Sequence, residues 1–537
     1  MLASLPPETP PVPAEPSLAR HAGIIALGNV TSRALGFVRD SVMAGLFGAG
    51  AHVDALNFAI TIPNQIYDLV TGGLVNSALV PVFSEYTAPE RRSELWRLAG
   101  ILLTLALVAV SAFVLVLVVF TPQVLLVFAA LGTGQNREAI AQAAPLLRIT
   151  LPAVICLSLS GILSGLLFAL KRFSYPAFTA AIFNASMVAV SLLLAPRLGV
   201  QAMAFGLLLG AALQVALQLP GLRDGLREIR LTVNWRHPGL RRIFKLYVPI
   251  ILGLVITQAS IYLGLGLAWD YVGGQSWMRY ATTLYQFPLG LVAVAVSSAI
   301  LPTLSRQAAD NAPEFKQTLV QGLNLVILLI VPATVGLFVL ARPVVALAFE
   351  RGEFTAFDTQ MTAQVLRVFL LGLSFAAVDQ MLIFGFYARQ NTLTPALVGV
   401  LSVAVYVAVA LLTLRPLGLL ALMLADSAKQ ITHALVTGGL LGRQLKGFGT
   451  TTLGPTLGKV ALASAVMAGL AALTLLAVDR LPLGAGLLHK GLSALAPGVV
   501  GAAAYFWLAN RLNVAEVRLV TTRLAPLSAR IRKMLGL

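Results

Sequence analysis

Long apolar stretches, separated by short polar segments, recur along almost the whole chain. A helix of about 20 apolar residues crosses the hydrocarbon core of a bilayer, so each stretch predicts a transmembrane helix. Six precede a polar linker, six follow it and two lie near the C terminus. The pattern predicts an all-α polytopic membrane protein with spans near residues 24–47, 54–83, 95–120, 146–170, 176–195, 200–219, 243–269, 278–304, 319–340, 366–387, 395–414, 417–441, 457–478 and 491–512.

The two groups of six spans repeat each other in sequence. Residues 147–149 and Pro176 return as residues 366–368 and Pro395, both at the same offset (366 − 147 = 219 and 395 − 176 = 219). Because each group has an even number of spans, the repeat is parallel and predicts two six-helix lobes related by a pseudo-twofold axis along the membrane normal. Transporters built this way hold their substrate between the repeats.

Six segments follow from this pattern. The first, rich in proline, is expected to be a disordered tail, and the last spaces apolar residues among arginines as an amphipathic helix on an anionic lipid surface does. Packing of that basic helix on cytoplasmic loops is the alternative. The segments are a tail over 1–20, a first lobe over 21–222, a linker over 223–242, a second lobe over 243–445, two further spans within 446–512 and a basic tail over 513–537.

Composition and charge support a membrane location. Hydrophobic residues make up 58% of the 537 residues and charged residues only 11%, with 38 Lys and Arg against 21 Asp and Glu. The basic residues gather in the even-numbered loops, which places both termini in the cytoplasm by the positive-inside rule. Anionic lipid headgroups, and not nucleic acid, are the expected partners of this positive charge.

Several charged residues fall inside predicted spans. Arg33, Arg39 and Asp40 lie in the first span and Asp54 opens the second. A charge at the centre of a bilayer costs at least about 2.5–3.5 kcal/mol, so these side chains must face protein, water or an ionic partner. Arg33 and Asp40 are expected to share one helical face. The charges either tie the two helices together or present guanidinium groups to an anionic headgroup.

The second lobe carries its own intramembrane charges. Asp379 lies in the tenth predicted span, and Asp426 and Lys429 lie in the twelfth. Asp426 and Lys429 are three positions apart and are able to pair on one helix face. The alternative, more specific hypothesis is that Asp379 or Asp426 binds a cation or couples transport to an ion. The sequence contains no Walker loop, zinc motif or paired-acid motif, so neither cofactor, metal nor enzymatic activity is expected.

Several motifs occur in the order found in a known family. They include Phe-Gly-Ala-Gly at 47–50, Gln-Phe-Pro-Leu-Gly at 286–290 and Gly-Glu-Phe-Thr-Ala-Phe-Asp at 352–358. Further segments similar to those of the family lie at 31–40, 54–55, 62–64, 80–85, 276–278 and 301–305. Together they resemble the MurJ/MviN lipid II flippases. The resemblance implies the fold of the multidrug/oligosaccharidyl-lipid/polysaccharide exporter superfamily, with two extra C-terminal helices that form a groove for a lipid tail.

The resemblance also implies a function. Members of that family move the undecaprenyl-diphosphate-linked peptidoglycan precursor from the inner to the outer leaflet of the bacterial cytoplasmic membrane. Arg33, Arg39 and Asp54 match positions on which the family depends, and cavity arginines are thought to hold the diphosphate. The resemblance therefore predicts a substrate-binding role for Arg33, Arg39 and Asp54, with cell-wall synthesis proteins as further partners.

The chain departs from the family at four positions. Tyr67 and Thr283 stand where an arginine is usual, and Gly72 and Gln286 stand where a glutamate is usual. Tyr67, Thr283 and Gln286 are predicted to line the substrate site in their place. These changes leave two alternatives open: a related exporter of another polyprenyl-linked glycan or amphipathic compound, and a scaffold for wall synthesis that transports nothing.

Overall fold

The computed structural model describes residues 16–68, 75–129, 137–234, 236–310, 312–448, 450–482, 484 and 486–517. Every regular element within these ranges is helical, so the predicted all-α fold is confirmed. The first helix begins at Pro16, inside the tail predicted over 1–20, because proline is well tolerated in the first turn of a helix. Gly72 and the predicted tail helix beyond residue 517 lie outside the described residues.

The first half of the chain folds into ten described α-helices. A π-helical turn, Val75–Leu79, leads into the third of them. In chain order they are α1 Pro16–Phe47, α2 Ala51–Tyr67, α3 Val80–Ser84, α4 Arg92–Val119, α5 Thr121–Ala129, α6 Arg137–Thr150, α7 Ala153–Ala169, α8 Ser174–Ala177, α9 Thr179–Leu198 and α10 Gln201–Gln218.

Eight described helices follow the linker, and two more complete the bundle. The linker ends earlier than predicted, because His237 accepts a hydrogen bond from the Gly239 amide and Pro238 occupies the first helical position. These helices are α11 Pro238–Ala268, α12 Gly274–Pro288, α13 Ala295–Asp310, α14 Ala312–Val339, α15 Ala341–Phe349, α16 Ala356–Ala388, α17 Leu393–Leu417, α18 Leu420–Gln444, α19 Thr450–Asp479 and α20 Leu487–Arg511.

The two halves have matching elements. Helices α4 and α14 both contain 28 residues, and each is followed by a helix of nine residues, α5 or α15. Lys171 and Gln390 both have left-handed backbones, with φ of 59° and 57°, and Gly199 and Gly418 have φ of 55° and 56°. Both pairs keep the predicted offset (390 − 171 = 219 and 418 − 199 = 219). The internal duplication read from the sequence therefore extends to helix lengths and turns.

Each predicted span overlaps at least one described helix. Nine described helices are long and apolar enough to cross a membrane. The five predicted spans without such a helix are those of α1, α2 with α3, α11, α12 with α13, and α18. Polar residues of α1 and α12 interrupt their apolar sequence. The nine are Pro89–Val119, Ala141–Ala169, Thr179–Leu198, Gln201–Leu222, Ala312–Val339, Ala356–Ala388, Leu393–Leu417, Leu453–Asp479 and Leu487–Arg511.

Candidate functional site

A polar cavity of about 700 Å³ lies between α1 of the first lobe and α12 of the second. Its α1 wall includes Ala26, Val30, Arg33, Phe37 and Asp40, which recur every three or four residues and so share one helical face. The opposite wall runs from residue 283 to residue 291. A second cavity of about 330 Å³ shares the charged end of the first and extends toward α2 and α11. The first helix therefore presents Arg33 and Asp40, among apolar residues of the same face, to a space between the lobes.

One carboxylate pairs with the arginines at the charged end that the two cavities share. The Asp40 side chain is only 2% exposed and forms ion pairs with Arg39 at 2.8 Å and with Arg279 of α12 at 3.2 Å. Thr283 donates a third contact, with its Oγ1 2.7 Å from Asp40 Oδ2. Two guanidinium groups share one negative charge, so the cluster carries a net positive charge. Arg33 shares the helical face of Asp40, as predicted, but the partner of Asp40 on α1 is Arg39.

Arg39 is also fixed by the first lobe. Its Nη1 donates to Asn184 Oδ1 of α9 at 2.9 Å, and Asn184 Nδ2 donates to the Ser32 carbonyl at 3.2 Å. The Arg39 side chain is 16% exposed. An arginine side chain loses much rotational freedom when it binds, so one already held by two partners loses less. Arg39 is a pre-organised cation at the cavity wall.

Arg33 lies closer to the open part of the cavity. It is exposed, its Nη1 is 3.4 Å from the Gln286 carbonyl oxygen, and its guanidinium lies against Gly290, where any side chain would collide with it. Among the described residues, no carboxylate lies within ion-pair distance of Arg33. Its charge is therefore available to an anionic ligand.

Of the three uncharged replacements predicted to line the site, two do so. Thr283 binds Asp40, and Gln286 lines both cavities. Tyr67, at the end of α2, is partly buried against the hydrophobic core and is not among the lining residues of either cavity. The tyrosine in the family's arginine position thus lies outside the cavity in this conformation.

Asp54 joins the two lobes directly. Its carboxylate is 1% exposed and accepts hydrogen bonds from the Gly273 amide at 2.6 Å, the Ser276 amide at 3.0 Å and the Ser276 hydroxyl at 2.7 Å. A carboxylate at this position satisfies the free amides at the N terminus of α12 and complements the positive end of that helix. In this conformation Asp54 faces α12 and not the cavity, so its predicted contact with substrate stays a prediction.

The C-terminal end of α1 closes the cavity on one side. The Glu353 amide donates to the Gly45 carbonyl at 3.1 Å, and the Tyr280 hydroxyl donates to the Gly48 carbonyl at 3.0 Å. The Ser41 hydroxyl donates to the Ala348 carbonyl. These contacts come from α12 and from the end of α15 with its following loop. The lobes are therefore joined at the C-terminal end of α1 and separated along its N-terminal part.

Arg279 is the residue that the sequence predictions missed. It lies one turn before Thr283 on α12, its side chain is 17% exposed, and it is the second guanidinium group paired with Asp40. With Arg33 and Arg39 it makes three guanidinium groups around the two cavities. The signal was present, since Arg279 is a charge near the start of a predicted span. Its importance was hidden because Thr283 occupies the position where the family usually carries arginine.

The predicted coupling residues lie apart from this cavity. Asp426 pairs with Lys429 on α18, as the three-residue spacing predicted. Asp379 of α16 is buried and contacts His433 and Thr437 of α18. Within the described residues there is no group of three or more His, Cys, Asp and Glu side chains suited to a metal ion.

Two helical lobes of matched structure around a polar cavity are the architecture of membrane transporters built from parallel repeats. The fold is shared with a solved multidrug resistance MATE family transporter of the MOP superfamily in an inward-facing conformation, with a TM-score of 0.66 and 15% identity over 78% of this chain and 96% of that one. A solved structure titled lipid II flippase MurJ, inward closed conformation, matches with a TM-score of 0.75 and 24% identity over 91% of this chain and 98% of that one.

The chain belongs to the lipid II flippase MurJ family, whose family model matches residues 43–483. A probable lipid II flippase MurJ of Haemophilus influenzae is 33% identical over 391 residues, which are 69% of this chain and 76% of the relative. The lipid II flippase MurJ of Burkholderia cenocepacia is 31% identical over 69% of this chain and 73% of its own length. The family resemblance predicted from the sequence motifs is confirmed.

Proposed function

We propose that this protein moves lipid II, the polyprenyl-diphosphate-linked peptidoglycan precursor, from the inner to the outer leaflet of the bacterial cytoplasmic membrane. The observation that carries the proposal is the presence of three arginines around two adjoining cavities: Arg33 and Arg39 line the larger one, and Arg39 and Arg279 line the smaller one. Guanidinium groups bind phosphate oxygens through paired, charge-assisted hydrogen bonds. Transport of this kind changes the position of the lipid and forms no covalent bond, so we assign the protein no enzymatic step.

The cavity geometry supports the cytoplasm-facing stage of an alternating-access cycle. If both termini are cytoplasmic, as the distribution of basic residues predicts, the N-terminal part of α1 lies near the inner leaflet. The lobes are separated there and joined at the outer end, near Gly48. A headgroup enters from the inner leaflet, binds the arginines and is released outward when the lobes rock. We further propose that α19 and α20 guide the lipid tail.

Arg279 bears on the alternative substrate. The two adjoining cavities together keep three arginines, because Arg279 stands one helical turn from the position that Thr283 occupies. Loss of an arginine from a diphosphate site would remove contacts worth about 1.5–3 kcal/mol each. A diphosphate headgroup therefore fits this cavity better than an uncharged amphipathic compound does.

The decisive experiment is complementation of a bacterium depleted of its own flippase, together with a lipid II translocation assay in proteoliposomes. The full chain is expected to restore growth and translocation, and Arg39→Ala is expected to abolish both. Arg415→Ala, at the exposed end of α17, is the matched control and should retain activity. Translocation of another polyprenyl-linked glycan without lipid II, or full activity of Arg39→Ala, would contradict the proposal.

A further inference from the structure

A second polar site lies where α16, α17 and α18 meet, away from the arginine cavity. His433 of α18 places Nδ1 2.8 Å from the carboxylate of Asp379 on α16 and Nε2 3.2 Å from the carbonyl oxygen of Pro395 on α17. Thr437 Oγ1 lies 2.7 Å from the same carboxylate. The His433 and Asp379 side chains are 13% and 8% exposed. One imidazole ring therefore connects three helices of the second lobe.

The partners of the ring fix the number of protons in this site. A carbonyl oxygen only accepts hydrogen bonds, so Nε2 of His433 must carry a proton to bind Pro395. The contact of Nδ1 with Asp379 needs a second proton, either on Nδ1 or on the carboxyl group. In both arrangements the pair holds one proton more than a neutral imidazole beside an ionised carboxylate.

Loss of that proton has a structural cost. The pair would change from electrically neutral overall to a single negative charge in a largely buried place, which is costly. One of the two ring nitrogens would also lack a hydrogen and would face an acceptor oxygen, either of Asp379 or of Pro395. Release of the proton therefore weakens the attachment of α18 to α16 or to α17.

We propose that His433 and Asp379 form a proton-binding site that holds α16, α17 and α18 together. The proton is taken from water and returned to water, so no other reactant is required. This inference goes beyond the proposed transport function, because it concerns the second lobe whatever lipid the arginine cavity carries.

Other titratable side chains around the site leave its charge balance intact. Asp426 and Lys429, on the same helix as His433, pair with each other, and Lys429 also lies 5.6 Å from the ring centre of Tyr406 on α17. Tyr387 is the nearby titratable side chain of α16. The opposite charges of Asp426 and Lys429 offset each other, so Asp379 is the carboxylate that compensates a protonated His433.

The test is the thermal unfolding midpoint of the purified full chain in detergent, measured between about pH 5 and about pH 9. Because the folded state keeps a proton that an ordinary histidine loses above about pH 6.5, wild-type stability is expected to fall as the pH rises above that value. His433→Gln is expected to lack this fall, which should be about 2–4 °C or more. A His433→Gln profile with the same fall as wild type would overturn the proposal.

The chain offers a matched control. His489 and Asp479 form a looser and more exposed pair, with 3.7 Å between their charged atoms and side chains 24% and 50% exposed. His489→Gln should keep the wild-type profile. If His489→Gln and not His433→Gln removes the fall, the proton is held elsewhere and the proposal is wrong.

Asp379→Asn provides a second route in case His433→Gln does not fold. It removes the carboxylate that compensates the protonated ring, so it should also remove the fall in stability. Sodium chloride and choline chloride are then compared at fixed pH. A fall in stability that persists in Asp379→Asn, or stabilisation of wild type by sodium that is lost in Asp379→Asn, would overturn the proposal, and the second result would indicate a metal-cation site. These readouts do not depend on lipid II, so their failure is separate from a failure of the transport proposal.

Discussion

Asp40 sets the charge balance of the cavity at the scale of single residues. It is the one buried carboxylate among the cavity-lining residues of the described chain, and it holds Arg39 and Arg279 side by side. Like charges so close together repel unless a shared counter-ion separates them. The cluster thus combines a buried, ion-paired carboxylate with a net positive charge that is available to an anionic ligand.

Asp40→Ala is expected to lower the free energy of unfolding by about 3–5 kcal/mol, because removal of one partner leaves buried charge uncompensated. Denaturant unfolding in detergent measures this change. Glu85→Ala is the control: Glu85 pairs with Arg242 at 2.7 Å, but the two side chains are 43% and 58% exposed. Its loss should cost no more than about 1 kcal/mol. Equal effects of the two variants would show that Asp40 is not held as described.

Arg279→Lys tests whether the third guanidinium group binds the headgroup. Lysine keeps the positive charge but lacks the planar fork that binds two phosphate oxygens at once. Loss of one such hydrogen bond, about 1.5–3 kcal/mol, corresponds to a fall in lipid II affinity of roughly tenfold or more. Titration of translocation rate against lipid II concentration in proteoliposomes measures it. An unchanged affinity would exclude Arg279 from the headgroup site.

At the scale of elements, the turn between α1 and α2 closes one end of the cavity through close backbone contact. Gly48 has a φ of 69°, and a Cβ there would lie 2.5 Å from the Glu353 carbonyl oxygen. Glycine alone adopts this backbone without strain and leaves room for the approaching loop. The closure therefore depends on the absence of a side chain.

Gly48→Ala is expected to open this end of the cavity. Gly199→Ala is the matched control, because Gly199 has a φ of 55° but a Cβ added there would meet no atom within 4 Å. Both variants place a Cβ at a positive φ and so carry backbone strain of about 1–3 kcal/mol, and only Gly48→Ala adds a collision. Maleimide labelling of Ser41→Cys, with Cys156 replaced by serine, should increase in Gly48→Ala alone. Equal labelling in both variants would contradict the closure.

The loop after α15, which closes this end of the cavity, also contacts α20. Lys490 Nζ lies 3.2 Å from Glu350 Oε1, and Thr359 Oγ1 donates to Glu350 Oε2 at 2.6 Å. Burial raises the pKa of the Glu350 carboxyl, but the hydrogen bond from Thr359 and the charge of Lys490 more than offset it and hold the pKa below its usual value. A lowered pKa in the folded state adds stability above the unfolded pKa, and this contribution is lost as the pH falls through the folded pKa.

Lys490→Ala is therefore expected to destabilise the protein at neutral pH and to differ less from wild type as the pH falls below about 4. Thermal unfolding across that pH range measures the difference. Lys459→Ala is the control, because Lys459 contacts the carbonyl oxygen of Asn513, which does not titrate there. A Lys490→Ala deficit that stays constant with pH would show that Glu350 is not its partner.

At the scale of the whole molecule, transport requires the two lobes to move apart at their joined end. Asn57 of the first lobe and Ser276 of the second are hydrogen-bonded at 3.1 Å and buried there. A covalent link at this place would hold the closed arrangement. Rocking of one lobe against the other is the movement expected for a parallel repeat.

A disulfide between Asn57→Cys and Ser276→Cys, with Cys156 replaced by serine, is expected to reduce lipid II translocation at least about tenfold, a barrier of about 1.4 kcal/mol or more. Reductant should restore it. The control is Ser160→Cys with Gln214→Cys within the first lobe, where Ser160 Oγ lies 3.1 Å from Gln214 Oε1. Crosslinking within one lobe should leave transport unchanged. Transport that survives the link between lobes would exclude this rocking movement.

The sequence alone determined the class, the duplication and the helical elements of this protein. Bilayer thickness fixes the length of an apolar span, and charges inside spans cannot face lipid, so Arg33 and Arg39 had to border a polar space. Pro176 and Pro395 gave the repeat at one constant offset. These features depend on local chemistry or on comparison of the chain with itself.

Only the tertiary structure decided which charges meet. Asp40 and Arg279 are 239 positions apart, and Asp54 is 219 positions from the Gly273 amide that it accepts from. Such pairs depend on the rotation and depth of helices in different lobes, which hydrophobic spacing leaves undetermined. Sequence periodicity gives the face of one helix and not the neighbour it meets. Arg279 was therefore missed, and Asp54 joins the lobes because the N terminus of α12 lies against it.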